Sequence, residues 1–110
     1  MGKQRHDMIK GALDMLILKM LSLEPMHGWG ICERIQLVSK ASLQVNQGSL
    51  YAALRRLTRE GWIKSDWRTT ENNRRARYYM LTRAGEKQLG AEIQHWAHLT
   101  DGVQRVLQLV

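Results

Sequence analysis

The sequence predicts a mainly α fold with one small β-hairpin, an α+β protein whose elements follow the order helix, helix, helix, hairpin, helix. Apolar residues recur at three- and four-residue spacing in four segments, as is typical of amphipathic helices. Between the last two of these segments, two runs rich in aromatic and β-branched residues flank a polar turn, which indicates a hairpin. A chain of 110 residues with 44% apolar residues is long enough for one folded core.

The first helix is predicted from about residue 9 to residue 23. Its buried face is a stripe of apolar side chains: Ile9, Leu13, Leu16, Ile17, Met20 and Leu21. Pro25 and Gly28 then break the helical pattern. Because Pro25 is the chain's only proline, it is a specific stop rather than part of a linker.

A second helix is predicted over residues 28–39, with Ile31, Ile35 and Val38 on its buried side. Gly28 and Gly30 at its start indicate either close approach to another backbone or a loose first turn.

The lone Cys32 has no evident activating partner and lies among apolar residues, so we expect it in the core. It cannot form an internal disulfide, which favours a reducing compartment. The first apolar run contains Asp14 and Lys19 and is too short to span a bilayer, so we expect a cytoplasmic protein without membrane attachment.

Residues 43–45 are predicted as a short strand, followed by a third helix. Asn46 is a suitable N-cap for that helix and Gly61 a suitable C-terminal stop. At 100° per residue, Leu50, Leu54 and Leu57 form its core side. The opposite side and its edges carry the side chains that we predict to contact DNA: Gln47, Gly48, Ser49, Tyr51, Arg55, Arg56 and Arg59. Small residues allow close approach to bases, and Gln, Ser and Arg can bond base edges or phosphates.

The two strands are predicted at residues 62–70 and 75–82, joined by a turn at residues 71–75. The turn places Asn72, Asn73, Arg74 and Arg75 at the hairpin tip, and Asn tolerates the positive φ that such turns require. We expect this tip to contact phosphates or the minor groove of DNA. An exposed hairpin kept soluble by its charge is the alternative.

Positive charge is concentrated between residues 46 and 83. This segment has nine basic and three acidic residues, and so carries +6 of the net charge of +7. Charge that only keeps a protein soluble would be spread more evenly. The uneven distribution therefore favours an anionic partner for the third helix and the hairpin.

Four segments together resemble the PadR family of bacterial transcriptional regulators. They are "HGWGI" at residues 27–31, "NQGSLYAALRRLTREGWI" at residues 46–63, "ENNRRARYYMLT" at residues 71–82 and "AGEKQL" at residues 84–89. The resemblance covers nearly the whole chain in the same order.

The resemblance implies a winged helix-turn-helix DNA-binding domain over residues 1–83 and a C-terminal dimerisation helix over residues 84–110. It also implies that the protein represses nearby genes and that a small molecule relieves this repression. Ser49, Tyr51, Asn73, Arg74 and Arg75 match family positions that are expected to touch DNA.

Two positions depart from the family pattern. Trp29 replaces the usual Tyr, which removes a hydroxyl contact with phosphate, although its indole N–H can still donate to DNA. Ala52 replaces the Pro of many members and slightly loosens the start of the helix.

The last helix is predicted to start at Thr82, a suitable N-cap, with Glu86 in the first turn. Its apolar residues follow a heptad-like pattern, which favours pairing with a second chain over folding back on its own core. We predict these interface residues: Leu89, Ile93, Trp96, Val103 and Leu107. Dimerisation would present two recognition helices to successive major grooves of a palindromic operator.

Two interpretations of Trp96 stay open. It is either an anchor of the dimer interface or a flat wall that stacks on a small aromatic effector. Short, drug-responsive PadR-like regulators place a Trp in the matching helix.

Other function classes find less support in the sequence. No GxSxG, HExxH or P-loop motif occurs, so we expect no enzyme and no cofactor. Glu92, His95 and His98 could begin a zinc site but lack further ligands, so we expect no metal.

An RNA-binding module and a winged-helix protein-interaction module remain as alternatives. RNA binding would use exposed aromatic residues on the sheet, and the candidates are Trp62, Trp67, Tyr78 and Tyr79. The pattern does not decide which of these rings is buried.

Overall fold

The structure, a computed structural model, describes the backbone of residues 2–110 and the side chains of residues 12–110. Its elements are α1 (Gly2–Leu23), β1 (Met26–His27), α2 (Gly28–Val38), α3 (Gln47–Arg59), β2 (Ile63–Thr69), β3 (Arg75–Leu81) and α4 (Arg83–Leu107). The predicted α+β class, the four helices and the hairpin are confirmed. The side chain of Ile9, predicted on the first buried stripe, lies outside the described residues.

The sheet has three antiparallel strands in the order β1-β3-β2. Met26 pairs with Tyr79 and His27 with Tyr78, so the short segment after Pro25 forms one edge. The strand predicted at residues 43–45 is wrong, because these residues pair with none of the three strands. Leu43 and Val45 instead pack as partly buried side chains against the core.

The core lies between the three N-terminal helices and the base of the sheet. Its fully buried side chains come from α1, α2, α3 and β2: Leu13, Ile17, Leu18, Ile31, Leu50, Leu54, Leu57 and Ile63. Cys32 belongs to this core, as predicted, and burial raises the pKa of its thiol above the ordinary value. Among residues 12–110 no polar or charged side chain is buried.

Local capping fixes where the helices begin and end. Asn46 accepts a hydrogen bond from the Ser49 N–H at 3.1 Å, and Thr82 accepts one from the Gly85 N–H at 3.0 Å. Gly61 follows α3 with a φ of 80°, the left-handed conformation that glycine adopts without strain. The predicted caps and the predicted stop are therefore confirmed.

The start of α2 explains its two glycines. His27 Nδ1 accepts a hydrogen bond from the Gly30 N–H at 3.0 Å. A Cβ on Gly28 would lie 2.7 Å from the Tyr51 hydroxyl oxygen. Gly28 therefore makes room for the Tyr51 side chain rather than for another backbone, whereas a Cβ on Gly30 would meet the His27 ring at an ordinary contact distance of 3.4 Å.

The last helix starts inside the core and then leaves it. A Cβ on Gly85 would collide with the Trp62 carbonyl oxygen, and Leu89 is buried beside the other core residues. From Gly90 to Val110 no side chain is buried. The core thus extends past residue 83 into the first turns of α4, and the rest of the helix projects from it.

Candidate nucleic-acid interface

The side of α3 that faces away from the core forms one exposed surface, which we call the recognition face. It consists of Gln47, Gly48, Ser49, Tyr51, Arg55 and Arg59, all exposed. The first turn carries only small or polar residues beside the Asn46 cap, and the arginines follow toward the C-terminal end. A backbone can therefore approach DNA closely at the start of the helix, while its end supplies positive charge.

Arg56 departs from the predicted arrangement. Its guanidinium donates to the Asp14 carboxylate of α1 at 2.5 Å, and its side chain is 34% exposed. Because α1 packs against α3 on this side, Arg56 points toward the neighbouring helix and not outward with Arg55. The ion pair with Asp14 gives Arg56 a role in holding α1 on α3, and its contact with DNA stays a prediction.

An open groove of about 760 Å³ separates the start of α2 and the recognition face from the hairpin; we call it the wing groove. It brings together five of the predicted site residues: Trp29, Tyr51, Asn72, Arg74 and Arg75. These residues come from α2, α3 and the hairpin, and lie up to 46 positions apart in the chain. Asn73, which was predicted with them, lies exposed at the tip.

The hairpin tip is held in one conformation by Thr70. Its backbone N–H donates to the Arg74 carbonyl at 2.6 Å, and its carbonyl accepts from the Asn73 N–H at 2.9 Å. Its hydroxyl accepts from the Arg74 N–H at 3.2 Å. Asn73 has a φ of 61°, which confirms the predicted positive φ in the turn. The basic tip is therefore an ordered turn.

Trp67 lies between two arginines on the groove side of the hairpin. The guanidinium carbons of Arg77 and Arg75 lie 5.1 Å and 5.6 Å from the centre of its ring. Both distances fall within the range of cation–π attraction.

Tyr79 lies at the base of the groove between α3 and the hairpin. Burial raises the pKa of its hydroxyl, and the positive charges of Arg77 and Arg55 partly offset this effect. One of these arginines belongs to the hairpin and the other to α3. The positive charges of α3 and of the hairpin therefore both reach the Tyr79 hydroxyl at the base of the groove.

Seven groove residues were not among the predicted site residues: His27, Gly28, Trp67, Thr70, Ala76, Arg77 and Tyr79. The period of two along a strand places Arg75, Arg77 and Tyr79 on one face of β3. Once the register is known, Trp67 falls opposite Arg77. The alternation was visible in the sequence, but the register was not.

The aromatic residues of the strands have different environments. Tyr79 is buried, Trp62 and Tyr78 are half-buried, and Trp67 is 54% exposed. Tyr78 packs edge-on against His27, with 5.4 Å between ring centroids. Of these four candidates for stacking on RNA bases, one ring is exposed, whereas sheet platforms that bind RNA usually use two or three.

The projecting part of α4 presents an exposed apolar stripe. It includes Ile93, Trp96, Leu99, Val103 and Leu107. Leu89 departs from the predicted interface because it is buried in the core of its own chain, where it is unavailable to a partner. The stripe therefore begins one turn later than predicted.

The described residues contain neither a candidate membrane span nor a candidate metal site. None of the helices within residues 2–110 is long and apolar enough to cross a membrane. Among the described side chains, no group of three or more His, Cys, Asp or Glu residues could hold a metal ion.

Three packed helices, a small sheet and a basic hairpin beside the third helix define a winged helix-turn-helix protein, in which α3 occupies the position of the recognition helix and the β2–β3 hairpin that of the wing. A sequence model of the PadR-like family of transcriptional regulators matches residues 17–91. The chain belongs to this family of DNA-binding transcriptional regulators, which are not enzymes.

Solved structures support the same assignment. A transcriptional regulator from Clostridium thermocellum superposes with a TM-score of 0.83 at 27% identity, over 90% of this chain and 96% of the other. A PadR-like regulator from Bacillus cereus gives 0.80 at 27% identity, over 94% and 99%. A PadR family regulator from Eggerthella lenta gives 0.81 at 26% identity, over 99% and 93%.

Among curated proteins, an uncharacterised protein of Lysinibacillus sphaericus is 27% identical over 97 residues, covering 88% of this chain and 89% of the relative.

Proposed function

We propose that the protein is a homodimeric, sequence-specific repressor that binds a palindromic operator in double-stranded DNA. Each protomer would place the recognition face in a major groove and the wing tip against the adjacent backbone or minor groove. The observation that carries this proposal is the wing groove, which unites side chains of α2, α3 and the hairpin on one basic surface.

The residue types of the recognition face suit different parts of DNA. Gln47 and Ser49 lie in the first turn, where the helix enters the groove, and can bond base edges. Arg55 and Arg59 lie farther along the exposed face and suit either guanine or phosphate. Gly48 has no side chain to hold the backbone away from the bases.

The wing supplies the second contact. Asn72, Asn73, Arg74 and Arg75 form its tip, and Trp29 faces them across the groove with an indole N–H that can donate to phosphate. Phosphate contacts fix the position of the protein on DNA, and base contacts on α3 supply the sequence preference.

The apolar stripe of α4 supports the homodimer. Trp96 is 41% exposed and Val103 49% exposed, in a helix whose N-terminal end is anchored in the core. A second copy of the same helix would remove the stripe from water and create a two-fold axis. That axis is what a palindromic operator requires.

Relief of repression by a small aromatic effector is the last component of the proposal. Such a ligand would stack on Trp96 between the two protomers and change the separation of the recognition helices. The support is the exposed ring of Trp96 in the middle of the stripe.

Selection of bound duplexes from a random pool tests the proposal. We expect a palindromic consensus whose half-sites are about 10 base pairs, or one helical turn, apart or a multiple of that distance. Failure to enrich any duplex at low ionic strength would contradict it. In a parallel selection from a random pool of single-stranded RNA, enrichment would favour the RNA-binding alternative, and enrichment in neither pool would favour a protein-interaction module.

The effector component has its own test. Planar aromatic compounds should quench Trp fluorescence and weaken binding to the selected operator. The Trp96→Leu variant should still bind the operator but lose this response. If Trp96→Leu abolishes dimer formation instead, Trp96 is an interface anchor.

A further inference from the structure

We propose that Trp67 is a positioning residue of the wing: its ring holds Arg75 and Arg77 in the orientation in which they meet DNA. This inference rests on the proposed DNA-binding function and assigns a role to a side chain that lies outside the recognition face. The wing would then act through a cation–π unit of one ring and two guanidinium groups, which we call the wing stack (Trp67, Arg75 and Arg77).

The register of the hairpin creates the wing stack. Trp67 on β2 is directly opposite Arg77 on β3, and Thr69 is opposite Arg75. Residues two apart on a strand share a face, so Arg75 and Arg77 both lie on the side of the sheet from which the Trp67 ring projects. All three side chains line the wing groove.

Stacking leaves the arginines free to bind. A guanidinium group that lies over a ring contacts it through the face of the guanidinium plane. Its N–H donors lie in that plane, point away from the ring and stay available to phosphate or guanine. The ring also restricts the rotamers of two long side chains, which lowers the entropy lost when they bind DNA.

The charges of the stack are uncompensated. Within the described part of the chain, no carboxylate lies within 4 Å of Arg75 or Arg77. A similar pair of arginine and aromatic ring lies on the opposite face of the same hairpin, where the guanidinium carbon of Arg68 is 5.6 Å from the centre of the Tyr78 ring. Arg68 is bonded there to the Asp66 carboxylate at 3.0 Å and to the Met80 sulfur at 3.3 Å.

The two faces of the hairpin therefore differ in a way that indicates function. On the face away from the groove, Arg68 has its own anion. On the groove face, two arginines share one aromatic support and, among the described residues, have no anion. Trp67 itself remains 54% exposed and does not belong to the core, so its ring is available to these arginines.

Three substitutions of Trp67 separate the effect of its aromatic character from the effect of its size. Trp67→Phe keeps an aromatic ring. Trp67→Leu keeps an apolar side chain but has no aromatic ring. Trp67→Gln is polar, suits an exposed position and has no aromatic ring. Affinity for the selected operator would be measured by fluorescence anisotropy at several salt concentrations. Urea unfolding would report the stability of each variant.

We expect Trp67→Leu and Trp67→Gln to weaken operator binding about tenfold or more, since a dimer carries two wing stacks. We also expect a shallower dependence of affinity on salt, by about one unit in the slope for each phosphate that the wing no longer neutralises. Trp67→Phe should stay within about threefold of the wild type. The urea midpoints should change little, because the ring is exposed.

Arg68→Ala is the matched control on the opposite face. It removes one positive charge from the hairpin, whereas Trp67→Leu removes none. If charge alone decided wing binding, Arg68→Ala would be the weaker binder. The wing stack predicts the reverse order.

The outcomes distinguish this inference from the function on which it rests. If the wild type binds no duplex, the proposed function fails. If the wild type binds and Trp67→Leu and Trp67→Gln bind equally well with the same salt slope, the positioning role is overturned. Equal weakening by Phe, Leu and Gln would also overturn it, because the aromatic face would then be irrelevant.

Discussion

Arg55 and Arg56 are adjacent in the sequence and belong to different parts of the molecule. Consecutive residues of a helix point about 100° apart, so one can face solvent while the next faces a neighbouring helix. Asp14 on α1 decides the outcome by accepting a hydrogen bond from Arg56. Arg55 has no such partner within the described residues and stays on the recognition face.

We expect Arg55→Ala and Arg56→Ala to affect different properties, DNA binding in the first case and stability in the second. Arg55→Ala should weaken operator binding about tenfold with little change in stability, since removing a base or phosphate partner costs about 1–3 kcal/mol. Arg56→Ala should lower the free energy of unfolding by only about 1 kcal/mol, because solvent still screens this partly exposed ion pair. Anisotropy titration and urea unfolding measure the two quantities.

Asp14→Asn is the control for Arg56. It weakens the same pair without removing positive charge, so it should reproduce the loss of stability and leave DNA binding within about twofold. If Arg56→Ala instead weakens DNA binding as strongly as Arg55→Ala and stability is unchanged, Arg56 contacts DNA and does not stabilise the packing of α1 on α3.

Individual site residues were predictable to the extent that their environment is local. Ser49 and Arg55 are exposed because the helical period alone turns them away from Leu50 and Leu54. The partner of Arg56 lies 42 positions away, and no periodicity reveals it. Trp67 was missed for a similar reason, since its role depends on which residue of β3 lies opposite.

At the scale of elements, boundaries set by caps were predictable. Asn46, Gly61 and Thr82 each act through a bond or a φ angle within a few residues, and each marks its helix end as expected. The strand Met26–His27 was not predictable from its own two residues. It is extended because β3 offers an open edge, which is a property of the assembled sheet.

Two glycines of α4 should respond to alanine with opposite sign. At Gly85 a Cβ would collide with the Trp62 carbonyl oxygen, which is backbone and cannot move aside cheaply. Gly85→Ala should therefore lower the free energy of unfolding by about 2 kcal/mol or more. Gly90 has open space around it, so Gly90→Ala should raise this free energy by up to about 1 kcal/mol through helix propensity.

Urea unfolding of the two variants gives this comparison directly. The pair is internally controlled because the substitution and the helix are the same. A stabilising Gly85→Ala would show that the first turn of α4 does not pack on the Trp62 backbone, and the position of the whole helix would need revision.

At the scale of the molecule, the fold divides its apolar surface between two uses. The core buries the apolar faces of α1, α2 and α3 together with Leu89 near the start of α4. The remaining apolar side chains of α4 lie on a projection, in a molecule that is 57 Å along its longest axis and 22 Å along its shortest. Such a surface stays exposed unless a second chain covers it.

Val103 tests whether that second chain is another copy and whether DNA binding depends on it. Val103→Glu places a charge in the middle of the apolar stripe, so the dimer should dissociate while the core, which Val103 does not touch, keeps its urea midpoint. Gln94→Glu is the matched control, since it adds the same charge to the opposite, polar face of α4. Analytical ultracentrifugation should find Val103→Glu monomeric and Gln94→Glu dimeric.

The same two variants connect assembly to DNA recognition. A monomer engages one half-site, so Val103→Glu should bind the full operator at least about 100-fold more weakly, because the second half-site no longer adds its share through a high effective concentration. It should also lose discrimination between one half-site and two, whereas Gln94→Glu keeps it. A Val103→Glu protein that is monomeric yet binds the full operator as tightly as the wild type would contradict the two-fold arrangement. It would leave the recognition face and the wing groove as a site that works in a single protomer.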